Sequence, residues 1–166
     1  MYSLLQAHPE FKISFSFSGT ALEQFQLYNP KVLESFQQLV DTGRVELLDE
    51  TYSHSLSSLY SDHEFKHQVY LHKKSIKLLF NKTPRIFRNT ELIFNNRIAS
   101  KVEKLGYKGI IAEGWDKVLG WRSPNFIYRA KNTKIPLLLK NYRLSDDIAF
   151  RFSNKSWSEH PLTVEK

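Results

Sequence analysis

The chain has 166 residues, 41% of them hydrophobic and 25% charged, with 24 Lys and Arg against 17 Asp and Glu for a net charge of +7. That is the composition of one folded domain or part of a larger one, long enough to bury a core without staples, and it excludes a disordered chain. It contains no Cys, which excludes disulfide scaffolds, Cys-ligated zinc, iron–sulfur clusters and thiol catalysis.

The start, Met1-Tyr2-Ser3-Leu4-Leu5-Gln6, lacks the basic-then-apolar order of a signal peptide. No apolar run approaches the about 18 residues of a membrane span, so a cytoplasmic protein with no membrane contact is the expectation. From Phe11 to Phe17 apolar and polar residues alternate, which predicts a half-buried strand. A helix follows over Ala21–Tyr28, and a second runs from the Asn29-Pro30 start signal to Asp41, stopped by Gly43. Val45–Leu48 reads as the next strand. Glu64–Phe80 is a long helix with Val69, Ile76, Leu79 and Phe80 on its apolar face.

Pro84–Arg88 is a further strand, Asn95–Leu105 a helix closed by Gly106, and Lys108–Ala112 and Ile135–Lys140 two more strands. Strands separated by helices predict βαβ units and a parallel α/β sheet, whose chemistry sits at the carboxyl ends of the strands. The basic residues are scattered, densest from Lys66 to Lys77 on one solvated helix face, so no nucleic-acid partner is expected. His63 and His67, four apart on that helix, read as surface histidines and not as a metal clamp.

Three polar clusters fall at expected strand ends: Glu50-Thr51-Tyr52-Ser53-His54-Ser55, Asn89-Thr90-Glu91, and Ser145-Asp146-Asp147 after the run Pro136–Leu144. Two carboxylates from different strand ends suit glycoside hydrolysis, where one attacks as the anion and the other delivers a proton. The competing structural reading makes Glu91 the cap of the helix beginning near Asn95 and Asp146 a turn residue.

Three segments are similar to glycoside hydrolase family 57, in its α-amylase branch: Gly43–Leu48 continuing through Thr51-Tyr52-Ser53-His54-Ser55-Leu56, Phe87–Asn96, and Tyr142–Phe152. Ala112–Asn125 also matches the family's barrel wording, and the similarity keeps the family's order over nearly the whole chain. The resemblance implies an incomplete TIM-like barrel of seven β/α units, with residues 1–166 a partial catalytic barrel domain that lacks the first strand and the helical wall of the cleft. It implies an α-glucan or maltooligosaccharide substrate, no cofactor and no metal. Glu91 takes the nucleophile's place and Asp146 that of the general acid/base, with Asp147 one residue away as the other candidate. His54 falls where the family holds the substrate sugar, Asp147 is a further substrate-binding candidate, and Trp115, Trp121 and Trp157 are candidates to stack on sugar rings. The mechanism implied is retaining.

Two readings compete. His54-Ser55-Leu56-Ser57-Ser58 fits the second motif of a metal-dependent polysaccharide deacetylase, but residues 1–40 contain no Asp for that enzyme's early Asp-Asp pair. A non-catalytic carbohydrate-binding remnant is the other.

Overall fold

The structure, a computed structural model, describes residues 1–163 and 165. In chain order the elements are α1 (Tyr2–Ala7), β1 (Ile13–Phe15), α2 (Gly19–Tyr28), α3 (Pro30–Asp41), β2 (Val45–Leu47), α4 (Ser57–Tyr60) and α5 (Asp62–Phe80). They continue with β3 (Ile86–Arg88), α6 (Asn96–Lys104), β4 (Gly109–Glu113), α7 (Asp116–Leu119), β5 (Tyr128–Arg129), β6 (Pro136–Lys140) and α8 (Tyr142–Asp146).

The strands form the wall of a partial barrel. β1 pairs in parallel with β2, and β3 with β4 with β6. Asp49, just beyond β2, joins the two groups: its N–H donates to the Ile86 carbonyl at 2.9 Å and its carbonyl accepts from the Arg88 N–H at 2.8 Å. Spatial order therefore follows chain order through β1-β2-β3-β4-β6, the α/β arrangement the sequence predicts. One strand departs from it. β5 runs antiparallel on the outer side of β6, Tyr128 opposite Leu137, and at two residues it is too short for an alternation signal.

Helix boundaries follow their caps. Ser61 accepts from the Glu64 N–H at 3.2 Å, so α5 starts at Asp62, two residues before the apolar periodicity suggests. Ser61→Ala is expected to lower stability by about 1 kcal/mol in a urea titration. Asn95, not Glu91, caps α6, its Oδ1 accepting from the Ile98 N–H at 2.9 Å. Gly43 (φ 73°) and Gly106 (φ 87°) turn the chain after α3 and α6 as expected.

Two apolar clusters fill the interior, and α5 reaches both. Phe65 and Val69 pack with Phe87, Ile98, Val102 and Ile110. A turn or two later, Ile76 and Phe80 pack with Leu22, Leu33, Val40 and Leu47 beneath the rings of Phe15, Phe17, Phe25 and Phe36. The phenylalanines at 15, 17, 25 and 36 thus serve the core, with Phe17 and Phe36 edge to face at 4.6 Å.

Between the two clusters lies a fully buried polar knot. His72 of α5 donates from Nε2 to the Phe17 carbonyl at 2.6 Å and is bonded through Nδ1 to the Asp49 carboxyl, whose other oxygen accepts the Tyr107 hydroxyl. Burial pushes the imidazole down, but the Asp49 bond and charge, the Phe17 carbonyl and the charge of Glu50 outweigh it and leave His72 above its ordinary 6.5. Burial and the Asp49 charge push the Tyr107 hydroxyl far up, so it stays protonated as the donor.

Candidate active site

The parallel bridge at Asp49 sets the ends of β2 and β3 side by side, so the loops after them share one rim. Glu50 follows the bridge directly and is buried, its side chain 3% exposed. Its Oε1 accepts the Ser16 hydroxyl at 2.9 Å, from just beyond β1. Its Oε2 faces His54 Nδ1 at 2.9 Å, and His54 Nε2 faces Glu91 Oε1 at 2.9 Å. Glu91 is open to solvent, its side chain 71% exposed.

Both loops hold residues that are not glycine in the left-handed region: His54 at φ 52°, Glu91 at φ 52° and Leu92 at φ 56°. Such conformations cost on the order of 1–3 kcal/mol each and persist only where their surroundings fix them. Hydroxyl bonds do so here. The Thr90 hydroxyl donates to the Ser55 carbonyl at 2.8 Å, Thr51 Oγ1 meets Thr90 Oγ1 at 2.8 Å, and Thr51 Oγ1 accepts the Ser55 N–H at 2.8 Å. Buried Asn89 ties its Nδ2 to Ser58 Oγ at 3.0 Å and to the Ile93 carbonyl at 2.9 Å.

Carboxylate oxygens on both ring nitrogens call for an N–H at each, so the arrangement favours imidazolium. The Glu50 bond, then the Glu91 bond, raise His54 above its ordinary 6.5 against the opposing effect of partial burial. The His54 bond and charge, with a further contribution from Arg88, hold the Glu91 carboxyl below its ordinary 4.5. Stability from the raised His54 is complete below 6.5 and is lost as pH climbs through its folded value. Stability from the lowered Glu91 is present above 4.5 and is lost as pH falls through its folded value. Melting temperatures measured across pH should therefore carry a contribution that is complete between 4.5 and 6.5, and Glu91→Gln should reduce it.

The structure joins His54 and Glu91 by a hydrogen bond and sets the other expected residues on other elements. β6 ends at Lys140, and Asn141 caps α8 with its side chain accepting from the Leu144 N–H at 3.2 Å. The run to Leu144 is thus not one strand: Asp146 ends α8, and Asp147 opens a π-helical turn through Arg151. Asp146 faces Lys140 Nζ at 3.9 Å and Asp147 pairs with Arg151, and among the described residues no hydrogen bond or ion pair links either to Glu91. Trp115 and Trp121 flank α7 and are exposed, Trp121 by 94%, so neither is a core residue. Trp157 is half-buried in a turn, its N–H on the Asn154 carbonyl at 3.1 Å. His63 and His67 are exposed on α5.

Sequence reasoning assigned no role to Ser16, Glu50 or Asp116. Glu50 sits four residues before His54, a spacing that could have suggested the pair, whereas Ser16 meets Glu50 only through the fold. Asp116 accepts from the Tyr142 hydroxyl at 2.9 Å and from Arg143 at 2.6 Å, tying α7 to α8. Among the described residues no group of three or more His, Asp or Glu side chains is arranged to hold a metal ion.

A family model described as "Glycosyl hydrolase family 57" matches residues 1–166. A Methanocaldococcus jannaschii protein named "Putative alpha-amylase" is 49% identical over 158 residues, which are 95% of this chain and 34% of that protein. The crystal structure of the 4-alpha-glucanotransferase from Thermococcus litoralis superposes with a TM-score of 0.75 at 17% identity, covering 90% of this chain and 24% of that one. The GH57-type branching enzyme from Pyrococcus horikoshii gives 0.56 at 18% identity, covering 75% and 27%. The chain thus spans about a third of the length of its curated relative and about a quarter of the two enzymes whose fold it shares.

Proposed function

The chain belongs to glycosyl hydrolase family 57, and from that premise we propose that it carries the nucleophile side of a retaining α-glucan-cleaving site, with Glu91 as the nucleophile. The observation that carries this reading is the Glu91 carboxylate itself: open to solvent at a strand end, held below its ordinary range, and, among the described residues, gripped on one oxygen only. Oε2 is left to attack the anomeric carbon. Asp146 is assigned the proton for the departing glycosidic oxygen, and water then releases the sugar from Glu91 with Asp146 as base, chemistry that works with carboxyl groups about 5–5.5 Å apart.

With both nitrogens of His54 on carboxylates, its role in this proposal is beside the nucleophile. Trp115 and Trp121 are exposed flat surfaces of the kind on which sugar rings stack, and Asp147 is the second carboxylate of the α8 rim. The names of the relatives, a "Putative alpha-amylase", a glucanotransferase and a branching enzyme, support an α-glucan as substrate.

The test is maltoheptaose incubated with the chain and with Glu91→Gln, the products separated by chromatography. The proposal expects new maltooligosaccharides from the parent only. Equal product from the variant would remove Glu91 from the mechanism.

A further inference from the structure

We propose that Glu50 is a positioning residue which, through His54, fixes the orientation of the Glu91 carboxylate and leaves its Oε2 free to react. The catalytic half of this inference rests on Glu91 being the nucleophile.

The three side chains grade from anchor to tip. Glu50 is enclosed, held by the Ser16 hydroxyl on Oε1, with its backbone N–H on Asp49 Oδ1 at 3.2 Å. His54 is partly open, and its backbone is set by an N–H bond to the Thr51 carbonyl at 3.1 Å. Glu91 lies in solvent, and His54 is its one side-chain hydrogen-bond partner among the described residues. A free glutamate there would sample its rotamers. One bond to a ring that is itself anchored removes that freedom, and the ring's second nitrogen takes its anchor from Glu50.

The charged neighbours are few. Arg88 acts on Glu91 from the end of β3, and Asp49 with His72 of α5 lies beside Glu50. None of these bonds to His54, so among the described residues Glu50 is the hydrogen-bond partner of His54 Nδ1. Removing the Glu50 charge shifts the ring toward its neutral form, which is a weaker donor to Glu91 than the charge-assisted one.

The consequence differs between the two chemical steps. In the first, a Glu91 oxygen bonds to the anomeric carbon as the bond to the leaving oxygen breaks and that oxygen takes the Asp146 proton. In the second, water bonds to that carbon and gives a proton to Asp146 while the electron pair of the sugar–Glu91 bond returns to Glu91, where the His54 N–H stabilises the carboxylate as it departs. A weakened donor therefore slows release more than attack. For Glu50→Gln the expected loss is about 10- to 100-fold in kcat, the range a hydrogen bond to a charged group supplies, with KM falling in step as the glycosyl-enzyme accumulates.

The experiment is an NMR titration of the His54 ring in the parent, Glu50→Gln, Ser16→Ala and Glu91→Gln, run beside kcat and KM on maltoheptaose. The expected result is a His54 midpoint above 6.5 in the parent that drops in Glu50→Gln, drops less in Ser16→Ala, and drops in Glu91→Gln. Unchanged His54 midpoints in Glu50→Gln would overturn the proposal. Should that buried variant fail to fold, the solvent-exposed Glu91→Gln reads the same linkage from its other end, and an unchanged midpoint there overturns it equally. The two readings fail separately. Full turnover by Glu91→Gln removes the nucleophile assignment whatever His54 does, whereas a dead Glu91→Gln beside an unmoved His54 in Glu50→Gln removes only the positioning role.

Discussion

Glu91→Gln is expected to lower turnover of maltooligosaccharides by on the order of 10⁴-fold or more, the scale at which losing a nucleophile leaves only binding and charge effects. An amide keeps the size and one acceptor oxygen but cannot form the glycosyl-enzyme. Folding should change little, because the side chain is largely in solvent and, among the described residues, bonded only to His54. The checks are initial rates with purified protein and a melting curve at neutral pH. Azide added to Glu91→Ala should restore bond cleavage and form a β-glucosyl azide, since the small anion enters from the side the carboxylate vacated.

Asp49→Asn is expected to destabilise the chain by about 3–5 kcal/mol, the cost of removing one partner from a buried ion pair. Asp49 and His72 are both fully buried, and Tyr107 adds a donor to the same carboxyl. Asn offers one acceptor oxygen where two were used, and it leaves His72, still tied to the Phe17 carbonyl, without its counter-charge. The loss is a large share of the about 5–15 kcal/mol typical of a folded domain. It should appear as a lower urea midpoint with an unchanged slope. The same residue carries the backbone bridge between β2 and β3, yet those bonds use main-chain atoms and survive the substitution. A midpoint shift under about 1 kcal/mol would show that water replaces the lost oxygen.

Much of this architecture was legible in the sequence, for identifiable reasons. The alternation from Phe11 to Phe17 placed β1, and Gly43 and Gly106 marked two helix ends because positive φ favours glycine. The short helices α1, α4, α7 and α8 and the two-residue β5 escaped, because one or two turns of helix, or two strand residues, repeat too little to show a period; a cap such as Asn141 fixes α8 instead. That cap is also why the run to Leu144 misled, and why Asp146 stands on a helix and not at a strand end.

The candidate site divides in the same way. Glu91 and His54 lie in polar clusters at expected strand ends, and the family resemblance singles them out. Their bond was not legible, since it depends on left-handed backbone at both, which nothing in a His or a Glu announces. His72 was within reach: it lies between Val69 and Ile76 at helical spacing on the buried face of α5, where a polar residue signals a partner.

The claim at the centre is that Glu91 forms and releases a covalent glycosyl intermediate. Proton NMR of the first sugar released from maltoheptaose, read before mutarotation, tests it most directly. The proposed mechanism gives the α-anomer from the parent chain and none from Glu91→Gln. A β-anomer appearing first would mean that water attacks the sugar in a single step, and would contradict the nucleophilic role of Glu91.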